Sequence, residues 1–176
     1  MNFCSHCGSP DLRLVIPPGD DRLRHCCQNC GTVHYQNPKL IVGSLVTDGN
    51  QLLLCRRGIE PRYGLWNLPA GYMENGETVQ ECALRETWEE SGAKTTLLRP
   101  LAIYNLPHVN QVYLFFLATL NSLHPLPTLE SLERAFFPAE EIPFGEMAFT
   151  SSVFAIQTYL ADPAGERGLA IGQWNG

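Results

Sequence analysis

Apolar residues come in short dense runs along most of the chain and at a helical period in only two places. Leu40–Thr47 and Gln51–Arg57 are rich in Val, Leu and Ile. Asp48-Gly-Asn50 parts them, which predicts two strands joined by a hairpin turn. Thr95–Tyr104 and Gln111–Leu120 have the same texture and predict two further strands, with Pro107 in the loop between them. A Pro-rich connection from Asn121 to Leu129 leads to Glu130–Phe137, expected as a short final strand. One helix is expected between Thr78 and Gly92, and a closing amphipathic helix from a Thr150 cap to about Ala161. The tail from 163 to 176 is Gly-rich and is expected to fray.

The first helix is punctuated at both ends. Thr78-Val-Gln-Glu81 has the form of a capping box, and Gly92 stands where a left-handed C-terminal residue is wanted. Gly71 and Gly76 precede it in a loop that can bring backbone close to a ligand. Val79, Ala83, Leu84 and Trp88 are expected to supply its apolar contacts and to leave its acid face free. That face is unusual. Glu86, Glu89 and Glu90 stand three and four apart, so a helix places them on adjoining parts of one surface. Like charges at that spacing repel. A divalent cation reverses the sign of the interaction, and Mg²⁺ suits carboxylate oxygens and substrate phosphates together.

The stretch Gly71–Ala93, GYMENGETVQECALRETWEESGA, resembles the Nudix box, Gly-x5-Glu-x7-Arg-Glu-U-x-Glu-Glu-x-Gly-U with U a bulky apolar residue. Gly71, Glu77, Arg85, Glu86, Glu89, Glu90 and Gly92 fall in register, while Thr87 and Ala93 hold the U positions. The resemblance implies an α+β protein: an αβα Nudix sandwich with a mixed sheet over residues 37–162. It further implies catalytic Mg²⁺ or Mn²⁺ held by Glu86, Glu89, Glu90 and the Gly71 carbonyl. By similarity Glu86 is the in-box candidate for general base, and Arg85 is expected to hold Glu77 and orient the carboxylates. Many Nudix proteins use an additional glutamate outside the box, for which Glu133 or Glu130 is the candidate; a surface ion pair explains either equally well.

Residues 1–36 form a separate unit. Cys4-Ser-His-Cys7-Gly and Cys27-Gln-Asn-Cys30-Gly are paired Cys-x-x-Cys-Gly knuckles, and four thiolates make a closed tetrahedral shell for structural Zn²⁺. This is the pattern of a zinc ribbon. Cys26 beside Cys27 leaves a choice of register, and the knuckle spacing favours Cys27. A redox dithiol is the alternative, but the pairs lack a βαβ setting. His6, His25 and His34 lie nearby and read as surface residues.

At 176 residues the chain holds one good-sized core or a core with a small appendage. Its net charge of −6 argues against a broad nucleic-acid surface, because phosphate backbones call for basic patches. Seven cysteines, four in metal-type pairs, fit a reducing compartment better than a disulfide framework. The opening residues show no basic-then-apolar leader, and the longest apolar run, Val112–Ala118, is far short of the ~20 residues of a membrane span. A cytoplasmic protein is expected.

Just before the box stand Arg56, Arg57 and Arg62. One of these arginines, with Arg56 and Arg62 as candidates, is a candidate contact for a diphosphate or a nucleotide edge; neutralising the box explains the cluster as well. Tyr63 and Tyr72 are placed to stack on a base, whereas Trp66 reads as core. The Nudix resemblance implies hydrolysis of a nucleoside diphosphate linked to X, giving a nucleoside monophosphate and phospho-X. A ribbon ahead of a Nudix domain is similar to two groups. NADH diphosphatases carry Ser-Gln-Pro-Trp-Pro-Phe-Pro after the box, a string absent here. The FAD/ADP-ribose diphosphatases resemble this chain through Tyr-Gln-Asn-Pro, Gly-Leu-Trp-x-Leu-Pro-Ala-Gly-Tyr and Glu-Ile-Pro-Phe, so FAD or ADP-ribose is the expected substrate. A non-catalytic ADP-ribose sensor and a ribbon serving homodimer assembly are the non-enzyme alternatives.

Overall fold

The computed structural model describes residues 1–125 and 129–174. The chain divides into two compact units, Met1–Asn37 and Pro38–Gly176.

The first unit is a three-stranded antiparallel sheet of β1 (Leu12–Val15), β2 (Arg24–Cys27) and β3 (Val33–His34) in that order. Asp20 steadies the β1–β2 turn by accepting from Arg24 Nε at 2.9 Å and from the backbone of Asp21 and Arg22. So small a sheet cannot enclose an apolar core. Apart from Pro17, its buried apolar side chains are cysteines, namely Cys4, Cys26 and Cys27.

The second unit runs β4 (Lys39–Asp48), β5 (Gln51–Arg57), β6 (Trp66–Asn67), β7 (Ala70–Tyr72), α1 (Val79–Ser91), β8 (Ala93–Leu106), β9 (Gln111–Leu123), β10 (Ser131–Pro138), α2 (Thr150–Ala161) and β11 (Ala170–Gln173). The sheet order is β10-β5-β4-β9-β8-β11, with β6 on β5 and β7 on β4. β4 lies parallel to β9 and β11 parallel to β8, while the other pairs are antiparallel, so the sheet is mixed. Strand alternation explains the layers. Val42 and Phe116 pack with Cys82 and Ala83 of α1. Their neighbours Ile41, Leu45, Phe115 and Leu117 pack with Ala155 and Ile156 of α2. Both faces of β4 and β9 are therefore covered, which is why these strands read as nearly continuous apolar runs. The result is an α+β sandwich of a mixed sheet between two helices.

Three expectations need correction. Thr150 does not cap α2: Phe149 is the N-cap, and no side chain bonds the first turn. The tail does not simply fray, because β11 adds to the edge of β8 and Asn105 Nδ2 donates to Gly172 O at 3.0 Å. It follows that Glu130–Phe137 is not the last strand; β10 begins at Ser131 and lies on the opposite edge. The expected connection Asn121–Leu129 overlaps the end of β9, and its residues 126–128 lie outside the described residues. Among the described residues no helix is long and apolar enough to cross a membrane.

Candidate active site

Helix α1 carries the acid cluster, and its ends form as the local sequence dictates. Thr78 Oγ1 accepts from Glu81 N at 3.2 Å, and Glu81 Oε2 accepts from Thr78 N at 2.7 Å, closing the capping box. Gly92 ends the helix at φ 67°. No basic residue lies in the last turn, but Arg134 of β10 donates to Ser91 O there, supplying positive charge where the helix dipole favours it.

The buried face of α1 differs from the expected one. Cys82, Ala83, Glu86, Thr87, Glu90 and Ser91 are buried, whereas Leu84 is 39% exposed and Trp88 is only half-buried, edge-on to His124. Ala83, Thr87 and Ser91 form a small-residue stripe that lets the helix lie close on the sheet. The hydroxyls of Thr87 and Ser91 return to the carbonyls four residues back, at 2.6 and 2.5 Å. This close approach carries Glu86 and Glu90 inward: the acids do not sit on a free face.

Backbone from β7 meets them. Ala70 N donates to Glu90 Oε2 at 3.0 Å. A Cβ on Gly71 would overlap the carboxylate of Glu86 where it now stands, so the glycine lets that carboxylate rest directly on the β7 backbone. Arg85 binds the other acids. It donates to Glu77 at 2.7 and 3.0 Å, to Glu86 Oε1 at 2.6 Å and to Glu89 Oε2 at 3.1 Å. With Arg85 and the Glu74 N–H on it, the Glu77 carboxyl is held down at about 2. Burial works the other way on Glu86, raising its pKa against the pull of Arg85. Burial pushes Glu90 to about 8, with the charges of Glu86 and Glu130 adding to the rise. Among the described residues Glu90 has no ion-pair partner.

Two buried carboxylates that resist ionisation, close to a third, form a hard-oxygen donor set short of positive charge. A divalent cation of the Mg²⁺ type fits it.

Glu86 and Glu90 open into a cleft of about 410 Å³. Tyr72, Gln111, Tyr113, Arg57, Phe149 and Glu130 also line it. Gln111 Nε2 donates to the Tyr72 hydroxyl at 3.0 Å, and Lys39 Nζ lies 5.0 Å from the Tyr72 ring centroid. Glu130 is tied down from behind, its carbonyl accepting from Gly58 N at 2.6 Å.

Of the residues named from the sequence, the fold gathers Gly71, Tyr72, Glu86, Glu90 and Glu130 around this cleft, with Glu89 and Arg85 adjoining through their mutual bond. It leaves others outside. Glu133 pairs with Arg56 at 3.6 Å, and neither lines the cleft. Arg62 and Tyr63 are exposed and also absent from the lining. Arg57, Gln111, Tyr113 and Phe149 are the residues that local sequence did not reveal. For Arg57 a partial signal exists: adjacent residues on a strand face opposite ways, so only one of Arg56 and Arg57 can meet the cleft.

In the first unit Cys4, Cys7, Cys27 and Cys30 place their sulfurs within 4.8 Å of one another, and Cys26 is not in the group. Cys4–Cys30 and Cys7–Cys27 are separated by 3.7 and 3.6 Å. Thiolates about 2.3 Å from a shared zinc stand roughly 3.8 Å apart, so the set fits a tetrahedral ion. Gly8 and Gly31 take φ of 75° and 73°, turning the knuckle backbone toward the sulfurs. The Thr32 hydroxyl and N–H lower Cys30 to about 6, which favours the thiolate a metal needs.

These two arrangements agree with what the chain is similar to. The zinc-ribbon family described as Nudix N-terminal matches residues 2–36, and the NUDIX domain family matches residues 37–155. Over 144 residues the chain is 33% identical to the NAD-capped RNA hydrolase NudC of Chromobacterium violaceum, covering 80% of this chain and 51% of that protein. The chain spans about half the length of the curated relatives it matches. A NUDIX hydrolase from Nitrosomonas europaea is 42% identical with a TM-score of 0.91, and 100% of both chains is covered. An ADP-ribose pyrophosphatase from Streptococcus suis shares the fold at 22% identity, with a TM-score of 0.60 over 77% of this chain and 99% of that one. An acid helix that completes the box around Gly71, a mixed sheet between two helices and a four-cysteine ribbon ahead of them leave one assignment: the chain belongs to the Nudix hydrolase family.

Proposed function

We propose that the chain hydrolyses the diphosphate bond of a nucleoside diphosphate linked to a second group, with FAD or ADP-ribose as substrate. The products are then AMP and FMN, or AMP and ribose 5-phosphate. The observation that carries this reading is the convergence of Glu86 and Glu90 on β7 at the head of a cleft that also holds Tyr72, Tyr113 and Phe149. A diphosphate suits the carboxylates through metal, and a planar base suits the aromatic rings of the same lining.

Glu86, Glu89 and Glu90 would hold Mg²⁺ or Mn²⁺. When bound, the ion supplies charge neutralisation for the diphosphate and makes a coordinated water more acidic. The chain itself does the rest. Arg85 fixes the direction of Glu86 and Glu89, and Ala70 N fixes Glu90. Gly71 leaves space for the Glu86 carboxylate. Glu130, whose charge reaches both Glu86 and Glu90, takes the place expected of a carboxylate outside the box and accepts the proton of the attacking water. Glu130 is preferred to Glu133 for this part, because Glu133 pairs with Arg56 and does not line the cleft. Such a reaction needs chiefly positioning and charge neutralisation, which a carboxylate set on a packed helix provides. The four ribbon cysteines would hold Zn²⁺ in a closed structural shell.

A second reading has its own support. The similarity to NAD-capped RNA hydrolases extends over 80% of this chain and points to NADH, which shares the adenosine diphosphate half of FAD and ADP-ribose. The Ser-Gln-Pro-Trp-Pro-Phe-Pro string of NADH diphosphatases is absent after the box, which favours the first reading. A Mg²⁺-dependent assay with FAD, ADP-ribose and NADH, products identified by mass, separates them. Turnover of FAD or ADP-ribose well above that of NADH is expected. Tight binding of ADP-ribose without turnover of any of the three would replace the enzyme with a sensor.

A further inference from the structure

Arg57 is the one cation among the described residues that line the cleft, which five glutamates also line, and its charge reaches Glu90. A cation in such company normally collapses onto an acid. This one does not: among the described residues Arg57 makes no ion pair. Two contacts hold it. Its Nε donates to Pro61 O at 2.9 Å. Its guanidinium lies over the Phe149 ring, with Cζ 5.1 Å from the centroid. A ring face attracts a guanidinium and fixes its plane without consuming its donors. The two terminal amino groups, four N–H donors in a flat fork, are left for another partner. Arg56 shows the contrast: it bonds Gly64 O at 2.8 Å and pairs with Glu133, so its charge is already matched.

A flat fork of donors kept off nearby acids matches a phosphoryl group, which offers oxygens at bidentate spacing. We infer that Arg57, clamped between the Pro61 carbonyl and the Phe149 ring, is the residue that binds a phosphoryl group of the substrate directly, independently of the ion held by α1. The inference rests on the proposed hydrolase reading only for the kind of anion involved. Phe149 is a positioning residue in this scheme. It owes its place to the start of α2, where its backbone is extended as the N-cap. The helix thus presents the ring that holds the guanidinium flat. Lysine at position 57 would keep the charge and lose both the stacking and the fork.

The test compares AMP with adenosine, which differ by the phosphoryl group alone. Calorimetric titration of the full chain is run in buffer free of added divalent cation and of chelator, so that ribbon zinc stays in place. The wild-type protein is expected to bind AMP at least about tenfold more tightly than adenosine. Arg57→Ala should abolish that preference and leave adenosine affinity unchanged. Arg57→Lys should keep part of it, and Phe149→Leu should reduce it through loss of the clamp. Circular dichroism confirms that each variant is folded, and Arg57→Lys carries the test should Arg57→Ala fail to fold. An AMP preference preserved in Arg57→Ala or undiminished in Arg57→Lys, or absent from the wild type, would overturn the inference. Turnover is scored separately: a wild-type protein with the preference intact but no hydrolysis leaves this assignment standing and removes the enzymatic reading alone.

Discussion

Arg85 holds Glu77 by two parallel bonds, Nε to Oε2 at 3.0 Å and Nη2 to Oε1 at 2.7 Å. The pair ties α1 to the loop that precedes it, and the same guanidinium continues to Glu86 and Glu89. One planar group therefore sets the direction of three carboxylates. Lysine cannot reproduce this, since it offers a point charge on a flexible stem. Arg85→Lys is expected to lower kcat by roughly 100-fold, the scale of a small misplacement of reacting groups, while far-ultraviolet circular dichroism stays unchanged. Wild-type kcat in the variant would show that the fork has no part in positioning.

Gly71 faces the carboxylate of Glu86 where any Cβ would overlap it. Gly71→Ala must displace Glu86 or move β7. Loss of roughly 100-fold in kcat is expected, with a smaller change in substrate affinity, because the aromatic part of the cleft lies on other residues. Steady-state kinetics with ADP-ribose checks this; equal effects on KM and kcat would mean that β7 itself has shifted.

Burial raises Glu90 from 4.5 to about 8, and the sign of the consequence is fixed. Below the lower value Glu90 is protonated in both folded and unfolded chains. As pH rises, the unfolded chain loses this proton first, so stability falls until Glu90 ionises in the folded protein too. Protein that keeps its ribbon zinc but has no added divalent cation should therefore lose melting temperature between pH 4.5 and about 8 and level off above. Glu90→Gln should flatten that profile, and saturating Mg²⁺ should reduce the fall by favouring the ionised form. A profile in Glu90→Gln as steep as in the wild type would place the effect elsewhere. Thermal melts without chelator, with and without added Mg²⁺, provide the comparison.

Much of α1 was legible because its signals are local. Thr78, Glu81 and Gly92 act within a turn of themselves, and the box spacing is a property of one helix. What the helix packs against was not legible. Leu84 and Trp88 look like a core face beside Ala83, yet the sheet accepts the narrower stripe of Ala83, Thr87 and Ser91, and Glu86 and Glu90 are buried along with it. Thr87 and Ala93 at positions where bulky apolar residues are usual express the same close approach, both being almost fully buried. The cleft was less legible still. Arg57, Gln111, Tyr113 and Phe149 come from β5, β9 and the start of α2, and only the sheet order β5-β4-β9 assembles them. The β11 strand escaped because a Gly-rich tail gives no periodic signal, and its four residues gain order from β8.

The ribbon gives a test of register. Cys27 stands 3.6 Å from Cys7, sulfur to sulfur, whereas Cys26 is outside the group of four. Cys27→Ser should lose bound zinc and unfold the first unit, for which the cysteines are the buried interior; Cys26→Ser should keep zinc. Metal content by mass spectrometry decides, and zinc lost from Cys26→Ser but kept by Cys27→Ser would reverse the assignment.

The central claim is that the buried acids of α1 hold a divalent cation that grips a diphosphate. Titration with Mn²⁺, followed by electron paramagnetic resonance in the presence of a non-hydrolysable methylene analogue of ADP-ribose, measures this directly. Wild-type protein should bind Mn²⁺ more tightly with the analogue than without it, and Glu86→Gln and Glu90→Gln should each weaken that binding by at least about tenfold. Mn²⁺ affinity that is undetectable in the wild type, or equal in all three proteins, would contradict the account.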